Sequence, residues 1–206
     1  MLDSKGFDLW ADEYDNTVDR NSKSYPFDGY YNGLSYIYDK ITEDNGSKKV
    51  LDIGFGTGTL TRKLYNKECQ IYGIDFSEKM MEIASKKMPN AKLFQYDFNN
   101  GMPEEINNEK FDYIISSYAV HHLTNEKKVQ FLKLLYNHLN ICGTIIILDI
   151  AFETEADFNR SYEENKEDWD ASEIYIIWND FKDYIDLKCE YHQISSCAGI
   201  IEIVRS

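Results

Sequence analysis

The sequence predicts an α/β protein built on a doubly wound, mostly parallel sheet of seven strands that ends in an antiparallel hairpin. Three observations carry this expectation. Between residues 50 and 150, short aliphatic runs alternate with longer amphipathic stretches, the pattern that repeated strand-helix-strand units impose on a parallel sheet. The first run ends in a glycine-rich turn, Asp52-Ile53-Gly54-Phe55-Gly56-Thr57-Gly58, with a helical pattern directly behind it. Near the end of the chain, residues 188–196 and 199–204 read as two short strands joined by a turn.

Taken in order, residues 1–49 are rich in Tyr, Asp and Asn and carry helical spacing over 7–14 and 30–41, without a strong strand. Strands follow at 50–53, 70–74, 91–95, 111–116 and 143–150, where β-branched and aliphatic residues run together. The first crossover helix starts near Thr59 and places Leu60, Leu64 and Tyr65 at helical spacing. The second opens at Ser77, an N-cap residue type, buries Met80, Met81 and Ala84, and stops at Pro89. A third spans about 126–139, with Val129, Leu132, Leu135 and Leu139 on one stripe; residues 140–143 then read as a stop and turn. Residues 151–186 suit one or two polar helices.

Composition narrows the partners. A chain of 206 residues with 43% apolar content suits one domain with one core. No apolar run reaches the roughly 18 residues of a membrane span, and residues 1–5 show no secretory pattern, so the expected location is the cytoplasm, without a membrane partner. A net charge of −14 disfavours nucleic acid, whose phosphates are bound by clustered Lys and Arg. Cys69, Cys142, Cys189 and Cys197 are scattered, form no C-x-x-C pair and suggest neither a zinc site nor a redox motif; no metal is expected.

The glycine turn is the first chemical signal. In an open α/β sheet a ligand sits at the carboxyl ends of the strands, and side chains in this turn would hold it off the backbone. Gly54, Gly56 and Gly58 form G-x-G-x-G, whereas a dinucleotide fingerprint places its third glycine where this chain has Thr59. Asp75 closes the next strand about twenty residues on, where a carboxylate can accept from both hydroxyls of a ribose; Phe76 follows it. The pair identifies a nucleoside without identifying which one. Asp75 could instead only cap the next helix, and Asp97 could be a surface-turn residue.

Together with Gln95-Tyr96-Asp97-Phe98 after the third strand, the arrangement resembles the class I S-adenosylmethionine-dependent methyltransferases, which share a Rossmann-like fold. Phe111-Asp112-Tyr113-Ile114-Ile115-Ser116-Ser117 is similar to their fourth strand, and Leu139-Asn140-Ile141-Cys142-Gly143 to their entry into the fifth, although this chain has Asn-Ile-Cys-Gly where a proline and two glycines are common. Phe7-Asp8-Leu9-Trp10-Ala11-Asp12-Glu13-Tyr14-Asp15 resembles the opening of the small-molecule, ubiquinone-biosynthesis-like group.

The resemblance implies S-adenosylmethionine as cofactor and methyl transfer to oxygen, nitrogen or carbon of a small molecule. It implies cofactor contacts from Asp52, Gly54, Gly56, Gly58, Asp75, Phe76 and Ser117, an adenine contact from Asp97, and one from the backbone N–H of Phe98. Trp10 and Tyr14 would be lid contacts, or core packing. The implied organisation is a helical lid over 1–46, a cofactor core over 47–150 and an acceptor side over 151–206. His121 and His122, past the fourth strand, are the candidate bases, since neutral imidazole takes a proton near pH 7; capping the following turn is the competing role. Asp149 and Glu153 could line the acceptor pocket or be ordinary loop acids.

Two other functions remain open on the sequence alone. One is a non-enzymatic sensor of the cofactor or its demethylated product. The other is an NAD-dependent oxidoreductase, disfavoured by the glycine spacing. A base-methylating enzyme would place Asn/Asp-Pro-Pro-aromatic after the fourth strand, where this chain reads Ser116-Ser117-Tyr118-Ala119.

Overall fold

Alternation of aliphatic residues builds both faces of the sheet. The computed structural model describes residues 8, 11, 14–43 and 46–206. Its strands are β1 (Lys49–Ile53), β2 (Gln70–Asp75), β3 (Lys92–Gln95), β4 (Phe111–Ser117), β5 (Leu139–Phe152), β6 (Ile176–Ile177), β7 (Cys189–Gln193) and β8 (Ala198–Val204). Helices are α1 (Tyr14–Asn21), α2 (Tyr30–Thr42), α3 (Thr61–Tyr65), α4 (Glu78–Lys87), α5 (Asn125–Asn137), α6 (Glu155–Glu164) and α7 (Trp178–Phe181). A 3-10 turn, Val120–His122, separates β4 from α5.

The strands lie in the order β3-β2-β1-β4-β5-β8-β7. β1 to β5 pair in parallel, while β8 runs antiparallel to both β5 and β7. The seven expected strands are all present, and the two-residue β6 adds an eighth by pairing with the end of β5. So short a strand has no periodicity to read; it forms because Ile176 and Ile177 find the last residues of β5.

On one face, Leu51, Ile53, Ile114, Ile145 and Ile147 pack under Leu132 and Leu135 of α5. On the other, Val50, Ile115, Ile146 and Leu148 meet Leu34 and Ile37 of α2. Each such side chain contributes about 1.5–3 kcal/mol through burial. The alternation that buries Val50 also turns Asp52 to the α2–α3 face, where it is only 2% exposed.

Caps start the crossover helices where their sequence signals stand. The Ser77 hydroxyl accepts from the Met80 N–H at 3.1 Å, and the Thr124 hydroxyl accepts from the Lys127 N–H at 3.3 Å. One expectation needs correction. Residues 140–143 do not end in a turn before the fifth strand; β5 begins at Leu139 and carries them as a bulge, with Cys142 at φ 64°. Arg205 holds the bulge, its carbonyl accepting from the Cys142 N–H at 2.8 Å and its own N–H reaching the Gly143 carbonyl at 2.9 Å. That partner lies 62 residues beyond Gly143 in sequence, so local turn chemistry could not reveal it. The segment 151–186 holds the helices expected there, α6 and the four-residue α7, with β6 between them. The helix expected over 7–14 lies largely outside the described residues.

Strand order reverses around β1, which pairs with β2 on one side and β4 on the other. The turns leaving β1 and β4 therefore diverge and open a crevice at the carboxyl edge of the sheet.

Candidate active site

The turn after β1 wraps the amino end of that crevice. Gly54, Gly56 and Gly58 all have positive φ, at 71°, 56° and 80°. The Gly54 N–H donates to the Ile74 carbonyl at 2.7 Å, which ties the loop to β2. A Cβ on Gly54 would stand 2.7 Å from the Ala119 Cβ, so the turn carrying Tyr118 to His122 is pressed against the loop. A Cβ on Gly56 would meet nothing within 4 Å: the space before it is a cradle.

Two buried carboxylates face this loop. Asp75 accepts from the Gly56 N–H at 2.8 Å through Oδ2 and from the Ser77 N–H at 2.9 Å through Oδ1, with the Phe76 N–H as a further backbone donor. Asp52 Oδ2 accepts from the Thr61 hydroxyl at 2.5 Å, while its buried Oδ1 has no hydrogen-bond partner among the described residues. Burial pushes Asp52 up to about 7 despite the Thr61 hydroxyl, and Asp75 up to about 6 despite its backbone donors. Asp52, the loop, Ser117 and Tyr30 of α2 line one small cavity. An orphaned buried oxygen beside an open glycine cradle suits a ligand that brings donors or positive charge to that point.

Past β3, Asp97 caps a 3-10 turn, accepting through Oδ1 from the Asn99 N–H at 2.9 Å and from the Asn99 amide at 3.0 Å. The surface-turn role considered for Asp97 is therefore real, and it leaves Oδ2 outward. The Phe98 ring is core, stacked on Phe131 with centroids 5.5 Å apart, which leaves its backbone as the part able to meet a ligand. Phe76 follows Asp75 in the turn before α4, and its carbonyl accepts from the Gln95 amide at 3.5 Å. Trp10 and the side chain of Tyr14 lie outside the described residues.

The N-terminal region contributes groups that sequence reasoning missed. Asp15 Oδ1 accepts from the Thr57 hydroxyl at 2.6 Å and the Thr59 hydroxyl at 3.1 Å, both on the glycine loop. Asp8 Oδ1 accepts from the Ser77 hydroxyl at 2.5 Å and the Lys79 N–H at 3.1 Å, at the start of α4. The only sequence signal was the motif that ends in Asp15; the pairing itself needs the fold.

On the other side of the crevice, the two histidines have different surroundings. His121 is 6% exposed and lies between two carboxylates: its Nδ1 is 2.5 Å from Asp149 Oδ1, and its Nε2 is 3.5 Å from Glu173 Oε1. Burial works against its charged form, but Asp149 and Glu173 outweigh it and hold the imidazole above its ordinary value. His122 is driven the opposite way, down to about 4, by burial and by the neighbouring His121. Asp149 is not a loop acid. It sits inside β5, 1% exposed, and its other oxygen accepts from the Val120 and His121 N–H groups at 2.9 and 3.1 Å.

Glu173 was not singled out from the sequence. Its Oε2 accepts from the Tyr175 hydroxyl at 2.8 Å, which in turn accepts from the Tyr25 hydroxyl at 2.7 Å. The segment is pinned by the Ile174 N–H on the His121 carbonyl at 2.9 Å and by buried Lys128, which donates to the Leu123 and Ile174 carbonyls, both at 2.6 Å. Beside it, Trp169 stacks on Tyr25 at 5.3 Å and stands edge-on to Tyr175 at 4.9 Å, forming an aromatic wall with Phe152.

Known proteins resemble this chain in sequence and fold. A model of the methyltransferase-domain family matches residues 50–143. A methyltransferase of Alkaliphilus oremlandii is 40% identical over 151 residues, 72% of this chain and 68% of that one. Among solved structures, magnesium protoporphyrin IX methyltransferase from Synechocystis, with bound SAH, superposes with a TM-score of 0.71 at 16% identity, covering 99% of this chain and 100% of that one. An S-adenosylmethionine-dependent methyltransferase from Clostridium acetobutylicum also reaches 0.71 at 16% identity, over 94% and 99%. No helix among the described residues is long and apolar enough to cross a membrane. With a glycine loop, a buried carboxylate closing β2 and these relatives, methyl transfer displaces the nicotinamide and sensor readings, and the chain belongs to the class I S-adenosylmethionine-dependent methyltransferases.

Proposed function

We propose that the protein transfers the methyl group of S-adenosylmethionine to a small molecule held between the 118–122 turn and the aromatic wall of Tyr25, Phe152, Trp169 and Tyr175. The observation that carries this reading is the contact between the two halves of the crevice: Ala119 abuts Gly54, so the turn bearing His121 and His122 starts at the cofactor loop. The bound cofactor supplies a methyl already activated on a sulfonium, so orientation is the protein's main contribution, in favourable cases about 7–11 kcal/mol.

In this reading Asp75 receives the ribose hydroxyls, Asp97 Oδ2 the adenine amino group, and the Phe98 N–H the ring. Gly54, Gly56 and Gly58 admit the chain of the cofactor, with Phe76 and Ser117 along its sides. The partnerless Oδ1 of Asp52 balances positive charge at the methionine end. Trp10 and Tyr14 belong to the lid. His121 is a positioned, carboxylate-paired group, whereas His122 stays neutral beside the acceptor and, held down to about 4, is a weak base, so any proton it takes is passed on quickly. The net charge of −14 argues for a small acceptor over nucleic acid.

The test is calorimetric titration of the full chain with S-adenosylmethionine, S-adenosylhomocysteine and NAD in parallel, followed by labelled-methyl transfer to panels of hydroxylated, carboxylated and amine acceptors. Binding of the first two ligands and label in a small-molecule product are expected. Binding of NAD alone, or label only in added RNA or protein, would overturn the proposal.

A further inference from the structure

We propose that His121, His122 and Glu173 form a divalent-metal site of the two-histidine, one-carboxylate type, with Zn2+ as its first candidate. One ligand atom from each residue lies within 4.8 Å of the others. The separation between His121 Nε2 and Glu173 Oε1 is 3.5 Å. That is longer than the roughly 2.7–3.2 Å of a well-formed hydrogen bond. It matches the ~3.4 Å edge of a tetrahedron whose metal bonds are ~2.1 Å. The widest pair needs to close by only ~1.4 Å to reach the same edge, a movement within side-chain rotation.

The surroundings are those of a metal ligand rather than of a simple ion pair. Asp149 holds Nδ1 of His121 at 2.5 Å and so leaves Nε2 as the outward nitrogen, the carboxylate–histidine arrangement that orients imidazole ligands. Glu173 is oriented likewise, through the Tyr175 hydroxyl on its other oxygen. Two carboxylates thus bracket one buried imidazole, and the nearby Lys128 ammonium is spent on two carbonyl oxygens and forms no ion pair with either acid among the described residues. A dication balances Asp149 and Glu173 with both histidines neutral.

The consequence for the acceptor, which rests on the methyl-transfer reading, is its chemical class. Three protein ligands leave a coordination position open toward the aromatic wall, suited to an oxygen donor such as a hydroxyl or carboxylate of the substrate. His122 then gives its lone pair to the ion instead of to a proton.

The experiment uses the full chain stripped of metal with a chelator, then titrated with Zn2+ by calorimetry and with Co2+ by visible absorption. S-adenosylmethionine binding is measured in the same preparations. One ion per chain is expected, with the d–d bands of a four- or five-coordinate Co2+ site. Glu173→Gln and His122→Ala should each weaken binding by tenfold or more, and Asp149→Asn by about 10–100-fold. All three should keep the wild-type circular dichroism, and Glu173→Gln, remote from the glycine loop, should keep its affinity for S-adenosylmethionine. Absence of stoichiometric binding in the wild type overturns the proposal. So does Zn2+ binding that folded Glu173→Gln and His122→Ala leave unchanged, since the ion would then sit elsewhere. Loss of S-adenosylmethionine binding with metal binding intact would instead count against the cofactor assignment alone.

Discussion

Replacing Gly54 and Gly56 in turn by alanine separates a structural glycine from a ligand-cradling one. Both residues have left-handed φ, 71° and 56°, which costs a Cβ-bearing residue about 1–2 kcal/mol. In Gly56→Ala the new methyl meets nothing within 4 Å, so that backbone cost is the whole effect on the cofactor-free chain. In a chain of this size it lowers Tm by about 2–8 °C. In Gly54→Ala the methyl lies 2.7 Å from the Ala119 Cβ, well inside the 3.4–4 Å of ordinary contact. Overpacking of this kind adds about 1–3 kcal/mol, for a combined loss of ~2–5 kcal/mol. The Tm of Gly54→Ala should therefore fall by about 4–20 °C. Calorimetric titration should give the complementary order of specificity. Gly56→Ala, the milder lesion for folding, should lose at least about tenfold in affinity for S-adenosylmethionine, about 1.4 kcal/mol, because its methyl enters the cradle. Equal melting losses in the two variants, or wild-type affinity in folded Gly56→Ala, would refute the reasoning.

Other outcomes follow from the same geometry. Asp75→Asn should keep the fold and lose cofactor affinity by a factor of about 10–100, the value of one charge-assisted hydrogen bond, read by the same titration. Asp52, lifted from 3.8 to about 7, favours the folded chain fully below its ordinary value and loses that contribution as pH rises through 7. Thermal scans of the cofactor-free chain across pH 5 to 8 should therefore show a stability decline that flattens in Asp52→Asn; an unchanged slope would count against the buried, partnerless carboxylate. Asp149→Asn breaks a buried pair and should destabilise by about 3–5 kcal/mol in denaturant titration. Trp169→Ala should cost about 2–3 kcal/mol of stability from its aromatic contacts yet leave S-adenosylmethionine affinity within about twofold, since it touches no part of the loop.

Much of the cofactor half was legible because its signals are local. A strand, a glycine turn and a helix start occupy consecutive residues at 50–61, and the carboxylate of Asp75 follows at a spacing that one crossover unit sets. Ser77 and Thr124 cap the helices that their types announce. The acceptor half was less legible. Asp149 looked like a loop acid, but β5 continues past it to Phe152 and turns it inward onto His121. Glu173 stands in a segment with little regular structure, so no periodicity marked it.

The sequence by itself determined the α/β class, the order of the parallel strands' units, the nucleotide-type loop and the pair of histidines beyond β4. Each is a property of neighbouring residues: hydrophobic period, glycine spacing and capping type are encoded within about twenty positions. Only the tertiary structure decided that Asp15 closes on Thr57, that Arg205 holds the bulge at Cys142, and that Tyr25, Tyr175, Glu173, His121 and Asp149 form one hydrogen-bonded and ionic chain. Apart from neighbouring Glu173 and Tyr175, these partners lie 28 to 150 residues apart, and a carboxylate or hydroxyl carries no periodic signal of the partner it will meet. Their pairing is set by which strands become neighbours and by the cost of burying a polar group alone.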